Sequence, residues 1–253
     1  MMSPVELSLF ASRLEAVCDE MGGVLRNAAF SPNIRDRLDF SCAVFDDGGQ
    51  ICAQAAHIPV HLGSMAFAIG DVVSRVAWAP GDMVVFNDPF LGGTHLPDVT
   101  IVAPLFHGEN IVAFVVNRAH HADIGAHVPG SMPVSSSLDE EGLVLEPVHL
   151  VRGGEWQAEV LARIESATAD PAASRGDFAA QVSANRAGLA RLEGLVERAG
   201  RRAFGEGLRE LNDYGERLAR AVLREIPDGI WTFEDRLDDD GQGQRDLPCL
   251  FIH

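Results

Sequence analysis

The sequence predicts an α+β protein: a mixed β-sheet with packed helices in the N-terminal part, followed by a mainly helical segment with two long helices. Three observations predict it. A capped, amphipathic pattern opens the chain. Short apolar runs bounded by Gly, Pro, Asn and Asp crowd residues 38–119. After Trp156 the apolar residues recur at helical spacing over two long stretches. The expected organisation is an α+β domain over residues 1–150, a helical segment over 151–226, and the start of a C-terminal β domain over 227–253.

The elements follow in order. Ser3 is the expected N-cap of the first helix, with Pro4 at its first position and Glu6 completing a capping box. Leu7, Phe10, Leu14, Val17 and Met21 then mark its buried face. "LDFSCAVFD" (38–46) and "GQICAQA" (49–55) read as two strands around an Asp-Asp-Gly-Gly turn. Residues 64–76 read as a short buried helix. Residues 82–88, 99–106 and 110–119 read as strands, the last two joined as a hairpin by "HGE". Residues 125–146 read as loop and 157–167 as a helix, with a second loop over 170–177. Two helices are expected over 178–198 and 202–224, with Gly200 between them and Pro227-Asp228-Gly229 ending the second. "IWTFEDRL" then opens a new strand, which needs a partner to be stable.

Composition excludes several functions. The net charge of −17 argues against nucleic acid and against an anionic membrane surface, because nothing here displaces phosphate counterions. The chain has no lysine; all 20 basic residues are arginine. A lysine Schiff base and a Walker A phosphate loop are therefore both out of reach, so any ATP chemistry belongs to another chain. No signal-peptide pattern opens the sequence and no run resembles a membrane span, so a cytoplasmic protein is expected. The 4 cysteines form no disulfide framework and read as reduced thiols. No G-x-S-x-G elbow and no Rossmann fingerprint is present.

Seven of the nine histidines fall between residues 57 and 127. His57 and His61 lie in "HIPVH" and read as buried rings satisfying backbone groups. His95 and Asp98 lie in "THLPD", where Pro97 forces a turn that can aim both side chains at one point. His120, His121, Asp123 and His127 follow the second hairpin strand. A turn centred near Gly108 sets Asp98 opposite residue 118, and one or two residues of slack bring His120 or His121 within reach. Two imidazoles and a carboxylate make an open set suited to Zn²⁺, Mn²⁺ or Fe²⁺. The competing reading is an Asx-type turn in which His95 and Asp98 only hold the loop.

Together, "SPNIRDRLDFSCAVFD", "AHIPVHLGSM", "NDPFLGGTHLPDVTIVAPLF", "NRAHHADIGAHVPGSMP" and "DEEGLVLEPV" resemble the hydantoinase B/oxoprolinase family. That family includes N-methylhydantoinase B subunits, the matching half of 5-oxoprolinase, and large subunits of acetone and acetophenone carboxylases. The resemblance implies a divalent metal, Mn²⁺ or Zn²⁺, on His95, Asp98 and His120. It also implies a hetero-oligomer with a hydantoinase A-like subunit that binds ATP. The expected activity is ATP-dependent hydrolysis of a cyclic amide, with His121 or Asp123 moving the proton. Ketone carboxylation and a non-catalytic remnant are the alternatives. The family's members are about twice as long, so a truncated or frameshifted copy is expected.

Overall fold

The capping chemistry of Ser3 and Glu6 builds α1 (Pro4–Ala28) in the computed structural model, which describes residues 2–252 apart from 57, 59 and 129. The Ser3 hydroxyl accepts from the Glu6 amide and the Glu6 carboxylate accepts from the Ser3 amide. A short α2 (Pro32–Arg35) leads into β1 (Phe40–Phe45) and β2 (Ile51–Ala56). The turn between these strands is closed by Asp46, whose Oδ1 accepts from the amides of Gly48 at 3.0 Å and Gln50 at 2.8 Å.

Helix α3 (His61–Arg75) follows, then β3 (Met83–Phe86), β4 (Asp98–His107), β5 (Asn110–His120), β6 (Val148–Arg152) and the short β7 (Glu155–Trp156). These strands form one seven-stranded sheet in the order β2-β1-β5-β4-β3-β6-β7. Every pairing in it is antiparallel. The chain is α+β, as the sequence predicts.

Alternation along β4 and β5 gives the sheet two different faces. Val99, Ile101, Ala103, Val115 and Ala119 face a large core completed by α1 and α5 (Pro171–Ala199), including Leu14, Met21, Phe178 and Leu192. Val102, Phe114 and Val116 face a smaller core closed by Met65, Ile69 and Val72 of α3. Asp98, Thr100, Arg118 and His120 share that second face with α3.

Helix α4 (Ala158–Ala167) precedes α5, and α6 (Arg201–Leu223) follows it. The expected loop over 170–177 is instead the first two turns of α5. Asp170 caps it, accepting from the Ala173 amide at 3.0 Å, and Pro171 occupies the first position. Asp177 is buried there, and its Oδ1 holds the amides of Phe30 at 2.7 Å and Ser31 at 3.0 Å.

Strand β8 (Thr232–Asp239) pairs with β9 (Arg245–Ile252) in a separate two-stranded sheet, not with the seven-stranded one. The four cysteines are free thiols. Among the described residues no helix is long and apolar enough to cross a membrane.

Candidate metal centre

The segment "NDPFLGGTHLPDV" is a loop pinned at both ends. Buried Asn87 donates to the carbonyls of Leu96 at 2.8 Å and Leu143 at 2.9 Å, and accepts from the Leu145 amide at 2.7 Å. Asp88 caps a single 3-10 turn, Pro89–Leu91. Gly92 follows at φ 84°, where a side chain would meet the backbone of Ala68 on α3. Only glycine allows both that dihedral and that approach. The loop therefore lies directly on α3, and its far end delivers His95 and Asp98.

The hairpin then sets the register. Two residues, Gly108 and Glu109, separate the His107–Asn110 pair, and a bulge at Val112 moves the pairing by one more residue. Asp98 consequently faces His120, not residue 118, and both side chains point to the α3 face. The slack that the sequence left open is supplied by that bulge and the short turn.

Three donor atoms converge. His95 Nε2 lies 3.0 Å from His120 Nδ1 and 3.2 Å from Asp98 Oδ1, and His120 Nδ1 lies 3.4 Å from the same oxygen. With metal–ligand bonds of about 2.1 Å, neighbouring ligands stand about 3.0 Å apart around an octahedral ion and about 3.4 Å around a tetrahedral one. The triangle fits a divalent ion. Asp98 Oδ1 is buried and meets only these two imidazoles, neither in hydrogen-bonding geometry, so a cation would satisfy it better. His95 is 34% exposed while His120 and Asp98 are buried, so the cluster opens to solvent on the His95 side.

Two further residues join it that the sequence did not single out for this role. Asp39, just before β1, places Oδ2 3.8 Å from His120 Nδ1. His61, the first residue of α3, is fully buried with Nε2 3.4 Å from Asp98 Oδ2, and its Nδ1 lies 3.1 Å from Ser41 Oγ. It is thus tied to a carboxylate and a side-chain hydroxyl, where backbone partners were expected. The Thr94 hydroxyl also donates to Asp98 Oδ2. His57, its neighbour in "HIPVH", lies outside the described residues.

The electrostatics agree with the geometry. Burial pushes the Asp98 carboxyl up, but the imidazoles of His120, His61 and His95 together outweigh it and hold the group ionised, far below the usual carboxylate range. Asp98 in turn raises His95 above the ordinary imidazole value.

His121 and Asp123 are not brought to this cluster, and the proton-transfer role expected for them has no support in their surroundings. Strand alternation turns His121 to the α5 face, where Nε2 donates to Gln181 Oε1 at 2.8 Å and the ring packs on Phe178 at 4.5 Å. Asp123 is a loop clasp, accepting from the amides of Gly125 at 2.8 Å and Ala169 at 2.7 Å. Burial lowers the His121 pKa, against the opposing pull of Asp177 and Gln181. The unfolded chain takes up this proton near pH 6.5 while the folded chain refuses it, so this residue costs stability as pH falls below about 6.5. Denaturant unfolding between pH 7 and 5 should lose less stability in His121→Gln than in the parent chain. An unchanged pH slope would remove His121 as the cause.

A seven-stranded antiparallel sheet carrying a His–Asp donor set at a hairpin end defines an α+β protein with a candidate metal centre. The hydantoinase B/oxoprolinase family matches residues 3–249, and the chain belongs to that family. The 5-oxoprolinase of Dictyostelium discoideum is 35% identical over 89% of this chain and 18% of its own length. The B subunit of a putative D-/L-hydantoinase from Pseudomonas sp. is 30% identical over 97% of this chain and 44% of its own. The crystal structure of an ATP-dependent caprolactamase from Pseudomonas jessenii superposes with a TM-score of 0.88 at 28% identity, over 100% of this chain and 46% of that one. The chain spans less than half the length of each of these proteins.

Proposed function

We propose that this chain is the metal-binding subunit of an ATP-dependent cyclic-amide hydrolase of the hydantoinase or 5-oxoprolinase type. The observation that carries the reading is the triangle of His95 Nε2, His120 Nδ1 and Asp98 Oδ1, with sides of 3.0 to 3.4 Å, in a chain of this family. His95, Asp98 and His120 would hold Mn²⁺ or Zn²⁺, with Asp39 near enough to add a second carboxylate. When bound, such an ion supplies Lewis-acid polarisation and water activation at neutral pH.

The chain's own residues define the rest. His61 and Thr94 fix one oxygen of Asp98, which leaves the other oxygen aimed at the two imidazoles. His95 sits at the solvent side, so a small cyclic amide approaches across it. ATP enters through a partner chain of the hydantoinase A type, because a chain without lysine has no phosphate-loop cation of its own. The Pseudomonas sp. relative is one subunit of its hydantoinase and the caprolactamase depends on ATP, which supports that division of labour. The assembly is a cytoplasmic hetero-oligomer.

Co-expression with such a partner, followed by assay of hydantoin and 5-oxoproline with ATP and Mn²⁺ or Zn²⁺, tests this reading. Turnover that needs ATP and metal and disappears in His95→Ala is expected. A His95→Ala complex with full metal content and full activity would sink it.

A further inference from the structure

Arg118 is fully buried and heads the large side chains with no exposure. It stands on β5 two residues before His120, on the same face of the sheet. Its guanidinium reaches three acceptors on three other segments. Nε donates to Thr100 Oγ1 at 2.8 Å, Nη1 to Ser64 Oγ at 2.7 Å, and Nη2 to the Gly92 carbonyl at 3.2 Å. Thr100 lies on β4 two residues after Asp98. Ser64 lies on α3 three residues after His61. Gly92 lies in the loop three residues before His95. The segments that carry Asp98, His61 and His95 are therefore all tied to one side chain, which itself stands on the strand of His120.

Among the described residues no carboxylate forms an ion pair with this guanidinium, and all three acceptors are neutral. Burial lowers its pKa only to about 10, so it stays charged at neutral pH, with Asp98 the one anion that helps to hold the charge. A buried charge of this kind is poorly suited to stabilising a fold, since an apolar side chain of similar volume often serves as well or better. What an apolar side chain cannot do is hold three segments at set distances through a planar fork of donors.

We propose that Arg118 is the positioning residue of the donor cluster: its guanidinium sets the spacing of α3, the 87–97 loop and β4 on which His61, His95 and Asp98 stand. The inference rests on the metal reading above, and the hydrogen bonds of Arg118 go to Thr100, Ser64 and Gly92, not to the donor residues themselves.

The test is a Co²⁺ titration of the 253-residue chain, read by the visible absorption of the bound ion, with metal-free thermal melts run in parallel. Arg118→Met should weaken Co²⁺ binding by about 10–100-fold and change the band shape, the usual effect of losing outer-shell support. Arg118→Lys should recover only part of the affinity, because one ammonium cannot span three segments. Ser64→Ala, which cuts only the α3 tether, should weaken binding less, and it carries the test if Arg118→Met does not fold. Folded variants that bind Co²⁺ as tightly as the parent chain, with the same spectrum, would overturn the proposal, as would a lowered melting temperature with unchanged affinity. A parent chain that binds no Co²⁺ would instead overturn the metal reading itself, and this inference with it.

Discussion

The Asp98→Ala variant should bind no metal, support no turnover, and lose about 3 kcal/mol of stability in its metal-free form. Asp98 is the hub of the cluster: His95, His120, His61 and Thr94 all meet its two oxygens. Removing it leaves three imidazoles without their carboxylate and leaves Arg118 without the anion that helps to hold its charge. The pH dependence has a definite sign. The folded carboxyl titrates below its unfolded value, so its contribution is complete above about pH 4–5 and is lost as pH falls further. Melts of parent and variant should therefore differ fully at pH 7, and the gap should narrow steadily below about pH 4. A difference that persists undiminished in acid would assign the loss to packing and not to the charge.

Gln181→Leu should do the reverse, damaging the fold and sparing the centre. Gln181 lies on the α5 face, donating to the Val99 carbonyl at 2.9 Å and Asn117 Oδ1 at 2.8 Å, and accepting from His121. Leucine fills much of the volume but strands those partners in a dry core. Each buried unpaired group costs about 1–3 kcal/mol, so a total of about 3–5 kcal/mol is expected. For a chain of this size that lowers the melting temperature by about 8–15 °C. Metal affinity of the folded chain should stay within about twofold of the parent, because β4 and β5 keep their register. A large loss of affinity at unchanged stability would show that the two faces of the sheet are coupled.

Local pattern made most of this legible. The Ser3–Pro4–Glu6 cap, the 107–110 hairpin and the polar loop before β4 each follow from residues close in sequence, and His95, Asp98 and His120 were within reach of that logic. The register read from a turn at Gly108 falls two positions short of the partner of Asp98: one because the turn is centred between Gly108 and Glu109, the other because nothing in "NIVAF" announces the bulge at Val112. The start of α5 carries a local signal, Asp170 as cap followed by a first-position proline, which Ser174 and Gly176 obscure. His61, Asp39 and Arg118 could not be reached that way. Their roles depend on α3 lying across the second face of the sheet and on β1 pairing with β5, contacts between distant segments that leave no periodic trace. His121 shows the converse. One residue along a strand reverses the face, so adjacency to His120 in sequence places it on the far side of the sheet.

The most direct measurement is the metal content of the purified 253-residue chain beside Asp98→Ala, by elemental analysis after dialysis, with circular dichroism to establish that both are folded. The proposed centre predicts about one divalent metal ion per parent chain and none in the variant. A folded parent chain without metal, or a variant that keeps the parent's content, would contradict the centre and leave His95, Asp98 and His120 as the polar lining of a turn.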